Sequence, residues 1–202
     1  MKLALALASI LVVFGTLASA APMFPQCPPV GADTGCEFLI TVNANGTTSV
    51  AEDSTLGPYD SADDTLVGVV NNSSTTVTSL PLMSDQGIFG FEADGACSGT
   101  FSPNPPASQC QGGVFTTTDP TDYESAGATF GSINSALTSA TVFLSLAPGQ
   151  STWFSLEGAL AVSDITTGPP GGGSGVPEPA SIALLGIGLC GLGLLRRTRK
   201  SQ

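Results

Sequence analysis

Ser139-Ala-Thr-Val-Phe-Leu-Ser-Leu146, then Pro148-Gly149-Gln150, then Ser151-Thr-Trp-Phe-Ser-Leu156 is the stretch that decides the fold. Both runs are rich in β-branched and aromatic residues, and in the first Ala140, Val142, Leu144 and Leu146 alternate with Ser139, Thr141, Phe143 and Ser145. That period of two puts one face of a strand in a core and the other outside it. Pro-Gly between the runs supplies a turn. Outward from this pair, similar runs occur at Glu37–Asn43, Thr65–Asn71, Thr75–Leu82, Gly87–Glu92 and Gly113–Thr118. Turn formers such as Asn43-Ala-Asn-Gly46 and Asn71-Asn-Ser-Ser74 separate them. Helical periodicity is scarce, and Glu157–Val162 is long enough for one turn only. The expected fold is all-β, a single β-sandwich-like domain of about seven to nine strands over residues 21–167.

The charge distribution separates this domain from its flanks. The 202-residue chain has 16 acids, five basic residues and no histidine, for a formal charge of −11. All five basic residues, Lys2, Arg196, Arg197, Arg199 and Lys200, lie at the ends, whereas 15 acids lie between Ala21 and Gly175. A middle without cations cannot neutralise phosphates, which excludes nucleic acid as a partner. Histidine-dependent nucleophilic catalysis and histidine-ligated zinc are excluded with it.

The ends read as addresses. Residues 1–20 combine Lys2, an apolar run and Ala18-Ser19-Ala20 before Ala21, the pattern of a signal helix cut by signal peptidase after Ala20. Residues 168–175, Gly-Pro-Pro-Gly-Gly-Gly-Ser-Gly, read as a flexible linker. The sixteen residues 180–195 are uncharged. As a short transmembrane helix they would extend about 24 Å, slightly less than a bilayer core of about 30 Å. The basic tail Arg196, Arg197, Arg199 and Lys200 favours the cytoplasmic side, leaving the acidic domain across the membrane. Two prolines keep Val176-Pro177-Glu178-Pro179 extended and outside the helix except at its first turn.

The order Val176-Pro177-Glu178-Pro179, apolar segment, terminal arginines resembles the PEP-CTERM sorting signal of Gram-negative bacteria, over residues 176–202. The resemblance implies that an exosortase recognises Pro177, Glu178 and Pro179, removes the tail and releases the protein. It implies transient inner-membrane anchoring with the domain in the periplasm, then a cell-surface or extracellular location in a biofilm or exopolysaccharide matrix. The middle, through Cys36–Gly46, Gly57–Ser73, Gly87–Glu92 and Pro148–Glu157, also resembles a recurrent exported domain attached to such tails. That second resemblance implies organisation and no chemistry.

Four cysteines lie in the exported part, where an oxidising compartment favours two disulfides. Of three connectivities, the local pairs Cys27 with Cys36 and Cys97 with Cys110 are expected, stapling Pro- and Gly-rich loops.

Asp60, Asp63 and Asp64 are the candidate metal ligands, because closely spaced carboxylates repel unless protons or a hard cation such as Ca²⁺ intervene. Their spacing departs from the Asp-x-Asp-x-Asp-Gly loop and also suits a solvated connection. No cofactor is expected other than such a Ca²⁺ ion. Glu37, Glu92, Glu124 or Glu157 with an aspartate has the groups for glycoside hydrolysis, but no spacing selects a pair. A non-enzymatic surface or matrix protein is therefore expected. Its rivals are a carbohydrate-binding module, with Trp153 or Tyr59 as a platform or simply as core, and a calcium-dependent adhesive domain.

Overall fold

The computed structural model describes residues 21–172. Ala18, Ala20 and the rest of the signal segment, the linker from residue 173, Val176–Pro179, the apolar run 180–195 and the basic tail lie outside the described residues. No helix among the described residues is long and apolar enough to cross a membrane.

The described residues form nine strands in two sheets, with only short 3-10 turns between them. Strands β1 (Phe38–Val42), β2 (Thr48–Glu52), β3 (Thr65–Asn71) and β7 (Ser151–Leu156) make the first sheet, in the order β2-β1-β3-β7. Strands β4 (Val77–Met83), β5 (Ala128–Gly131), β6 (Ser139–Leu146) and β8 (Thr166–Thr167) make the second, in the order β5-β6-β4-β8. β9 (Gly171–Gly172) pairs with β4 as well. Within the first sheet β3 runs parallel to β1 and antiparallel to β7. The parallel return from β1 to β3 requires a crossover, which passes through β2 and the acidic segment 53–64.

Alternation positions the core. Phe38, Ile40 and Val42 of β1 meet Leu80 and Leu82 of β4 and Val142 of β6, joined by Val67, Val69 and Phe154. Strand β3 is buried on both faces, because its other side carries a second cluster. There Leu66 packs with Tyr59, Trp153 and the four exported cysteines. The Cys27–Cys36 and Cys97–Cys110 disulfides are both formed. Gly68 is required at this layer, since a Cβ there would lie 2.5 Å from Cys36 Sγ.

The turn at residues 148–150 carries the chain from one sheet to the other, with Gly149 at φ 79°. Buried Asn71 ties the crossing, its Nδ2 donating to Leu146 O and Thr75 O at 2.8 Å each. Two expected strands do not form. Gly87–Glu92 turns, with Gly90 N–H donating to Gly87 O at 2.9 Å, and inserts Ile88 and Phe89 into the core. Gly113–Thr118 begins in a 3-10 turn and continues as irregular chain behind the second disulfide. The helical turn expected within Glu157–Val162 falls instead at Val162–Asp164, one of four 3-10 turns among the described residues.

The sandwich has two seams. At one, β2 meets β8 through a short contact between the Thr48 and Thr167 hydroxyls. At the other, the edge strands β7 and β5 face each other. Residues 168–172, the first part of the Gly/Pro stretch, lie along the domain rather than leading away from it. Gly168 N–H donates to Pro81 O at 2.9 Å, and Gly171 and Gly172 are in register with Ser79 and Val77. Pro81 suits this outer edge of β4, where only short strands approach on either side of it.

Candidate functional site

Carboxylates converge at one end of β3 and β7. The ladder pairs Thr65 with Leu156, so Asp64, which precedes β3, and Glu157, which follows β7, are neighbours although far apart in sequence. Thr65 Oγ1 fixes this end by donating to Gly158 O at 2.9 Å. Asp63, Asp64 and Glu157 each present an oxygen, all within 4.8 Å of one another. They are exposed, buried and half-buried in that order.

Two tyrosines organise the cluster. Tyr59 donates its hydroxyl to Asp64 Oδ2 at 2.7 Å. The Tyr123 hydroxyl, carried by the 3-10 turn Thr121–Tyr123, lies 2.7 Å from Glu157 Oε2 and 2.8 Å from Asp94 Oδ1. Both oxygens of Asp64 are 3.4 Å from it. One phenol carries one proton and can satisfy one acceptor at a time. The remaining contacts require protonated carboxyls or a cation.

The electrostatics agree. Burial, then the charges of Glu157 and Asp94, pushes Asp64 up to about 8 against the lowering hydrogen bond from Tyr59. Burial and the charges of Asp63, Glu92 and Asp94 raise Glu157 to about 6, although Tyr123 donates to it. Burial raises both phenols as well. A site that resists full ionisation can be neutralised by protons or by a hard divalent ion.

Asp60 takes a different place from Asp63 and Asp64. Its Oδ1 accepts the backbone N–H groups of Ala62, Asp63 and Asp64 at 3.0 Å each. It shapes the loop, while the third member of the compact carboxylate group is Glu157. Sequence spacing could not reveal Glu157 because the β3–β7 register, not local sequence, brings it there.

A second acidic group comprises Asp33, Glu37 and Asp53, all buried. Asp33 Oδ2 and Glu37 Oε2 have no hydrogen-bond partner. Burial, with Asp53 adding repulsion, raises Asp33 to about 6, and burial with Asp33 raises Glu37 to about 7. Asp53 is lowered by the hydroxyl and N–H of Thr55. Glu124 stands apart, its Oε1 accepting Phe130 N–H at 2.6 Å. Neither aromatic considered as a sugar platform is exposed. Trp153 and Tyr59 belong to the buried cluster around the disulfides.

Residues 175–200 match the family model of the PEP-CTERM protein-sorting motif. Comparisons with curated proteins and with solved structures found no match.

Proposed function

We propose, from the PEP-CTERM sorting motif at residues 175–200, that this chain is a non-enzymatic cell-surface or matrix component whose exported β domain associates with exopolysaccharide. The motif implies export, membrane-anchored sorting and processing by an exosortase before release. Signal peptidase cleavage after Ala20 supplies the first step in this reading.

The absence of histidine from the whole chain supports a non-enzymatic domain. So does the locking of Asp64 and Glu157 by tyrosine hydroxyls. The hollow at β6 and β7, the one adjoining it and a third at the β2–β8 seam are lined by no carboxylate. In none of these three hollows does a pair of acids face a space where a glycosidic bond would lie between them.

The test of sorting is replacement of Pro177-Glu178-Pro179 by alanines, followed by pulse–chase and fractionation in a host containing exosortase. The expected product is an uncut, membrane-associated precursor. Release at the parental rate would overturn the assignment.

A calcium-dependent adhesive role is favoured by one observation, the approach of Asp63, Asp64 and Glu157 oxygens to within 4.8 Å. An ion there would relieve the repulsion among these carboxylates. It would also lessen the charge that opposes association with an anionic polymer.

A further inference from the structure

The seam between β7 and β5 is closed over half its length and open over the rest. Residue 124 closes the first half, since Glu124 bridges to Phe154 of β7 and its carboxylate accepts Phe130 N–H of β5. Beyond it, Ala126–Thr129, the end of β6 and Gly149–Thr152 surround an open groove of about 750 Å³. A hollow of about 290 Å³ adjoins it, sharing Ala126, Gly127, Ser151 and Thr152.

The lining is unusual for this protein. Four of the five glutamines among the described residues, Gln26, Gln109, Gln111 and Gln150, line these two adjoining spaces. No acid lines either, although 15 acids lie between Ala21 and Gly175. Gln150 Oε1 accepts Ala147 N–H at 2.9 Å, which fixes that side chain and leaves its amino group to donate. Gln109 and Gln111 bond to the protein through their backbone N–H groups. Their side-chain amides remain available among the described residues. Ser145 and Ser151 add hydroxyls. Phe143 stands at the same groove, 48% exposed, and is the only aromatic among the large exposed apolar residues described.

We propose that this groove binds an uncharged oligosaccharide. Side-chain amides both donate and accept, as sugar hydroxyls do, and an exposed ring offers an apolar surface to the C–H face of a pyranose. An anionic glycan would meet no cation here and a strongly acidic domain around it. A cationic ligand would find no acid in the lining. An extended peptide would need a run of free strand edge, yet Glu124 already occupies β7 at Phe154, and the Ser125 and Thr152 hydroxyls meet at 3.2 Å. The inference gives the matrix-association reading a site, and it does not rest on sorting. A chain that is never cleaved should still bind.

The full chain in a detergent without a sugar headgroup would be titrated calorimetrically with neutral hexaoses: β-1,4-gluco, β-1,3-gluco, xylo and manno. An alginate hexamer and an extended hexapeptide serve as comparators. At least one neutral hexaose should bind with a dissociation constant at or below about 1 mM. Phe143→Ala and the Gln109→Ala/Gln111→Ala pair should each weaken it about tenfold or more. Gln86→Ala, at the glutamine outside the groove, should leave affinity unchanged. Thermal midpoints matching the parent show that the variants are folded. The proposal is overturned if no neutral hexaose binds at about 10 mM, if binding survives both groove variants, or if only alginate or peptide binds.

Discussion

The Tyr123 hydroxyl lies 2.7 Å from Glu157 Oε2, joining a turn after the second disulfide loop to the end of strand β7. Asp94 and Asp64 crowd the same oxygen, so one phenol holds together acids from three separate parts of the chain. Tyr123→Phe should lower unfolding free energy by about 2 kcal/mol, the usual worth of a hydrogen bond to a charged group. Urea titration at neutral pH reads the change. An unaltered midpoint would show that the acids need no phenol between them.

The raised carboxyls set the direction of pH dependence. Asp33, Glu37, Asp64 and Glu157 hold protons in the folded state that the unfolded chain releases near its ordinary values of 3.8 to 4.5. The folded chain therefore binds more protons across that interval, and stability falls as pH rises. The loss should run through about 6 for Asp33 and Glu157, about 7 for Glu37 and about 8 for Asp64. Asp53, lowered by Thr55, acts oppositely below about pH 4. Thermal midpoints should be higher at pH 5 than at pH 8.5. The reverse order would contradict the assignment of these groups.

Calcium should act where protons have left. At pH 8.5 millimolar Ca²⁺ is expected to raise the midpoint, and ten times the dissociation constant is worth about 1.4 kcal/mol. The gain should shrink at pH 5, where protons compete for the same oxygens. Asp63→Asn and Glu157→Gln should each abolish most of it. Equal gains in parent and variants would place the ion elsewhere.

Both disulfides border the cluster that contains Trp153, the only tryptophan. Removing either bridge should cost about 2–4 kcal/mol, since it frees the unfolded chain from a closed loop with a sequence separation of 9 or 13, lengths that keep the gain modest. Loss of the bridges should also move Trp153 emission to longer wavelength as water reaches the indole. Reduction without a spectral or stability change would separate the tryptophan from this layer.

Most of the sandwich was legible in runs rich in β-branched and aromatic residues, as in β1 and β6, whose burial alternates along the strand. The short strand Ala128-Thr-Phe-Gly131 was not, because its pairing with β6 outweighs weak local preference. Ile88-Phe89 misled for the opposite reason. Apolar alternation marks burial, but Gly87 and Gly90 bend this backbone into a turn that buries the same residues. The disulfides followed from loop chemistry. At the acidic site Asp63 and Asp64 were visible, whereas Glu157 depends on a long-range strand register. The glutamine-lined seam was hidden because its residues come from distant segments.

The packing of residues 168–172 against β4 also governs reach. From Gly172, the last paired residue, to residue 175, where the sorting motif begins, the chain extends about 10 Å at most. An exosortase approaching that motif would meet a folded body at close quarters. The two short pairings hold back slack: peeling the chain away after Ile165, which stays in the core, would lengthen the leash to about 34 Å. Release of β8 and β9 would trade a few edge hydrogen bonds for clearance between cargo and membrane.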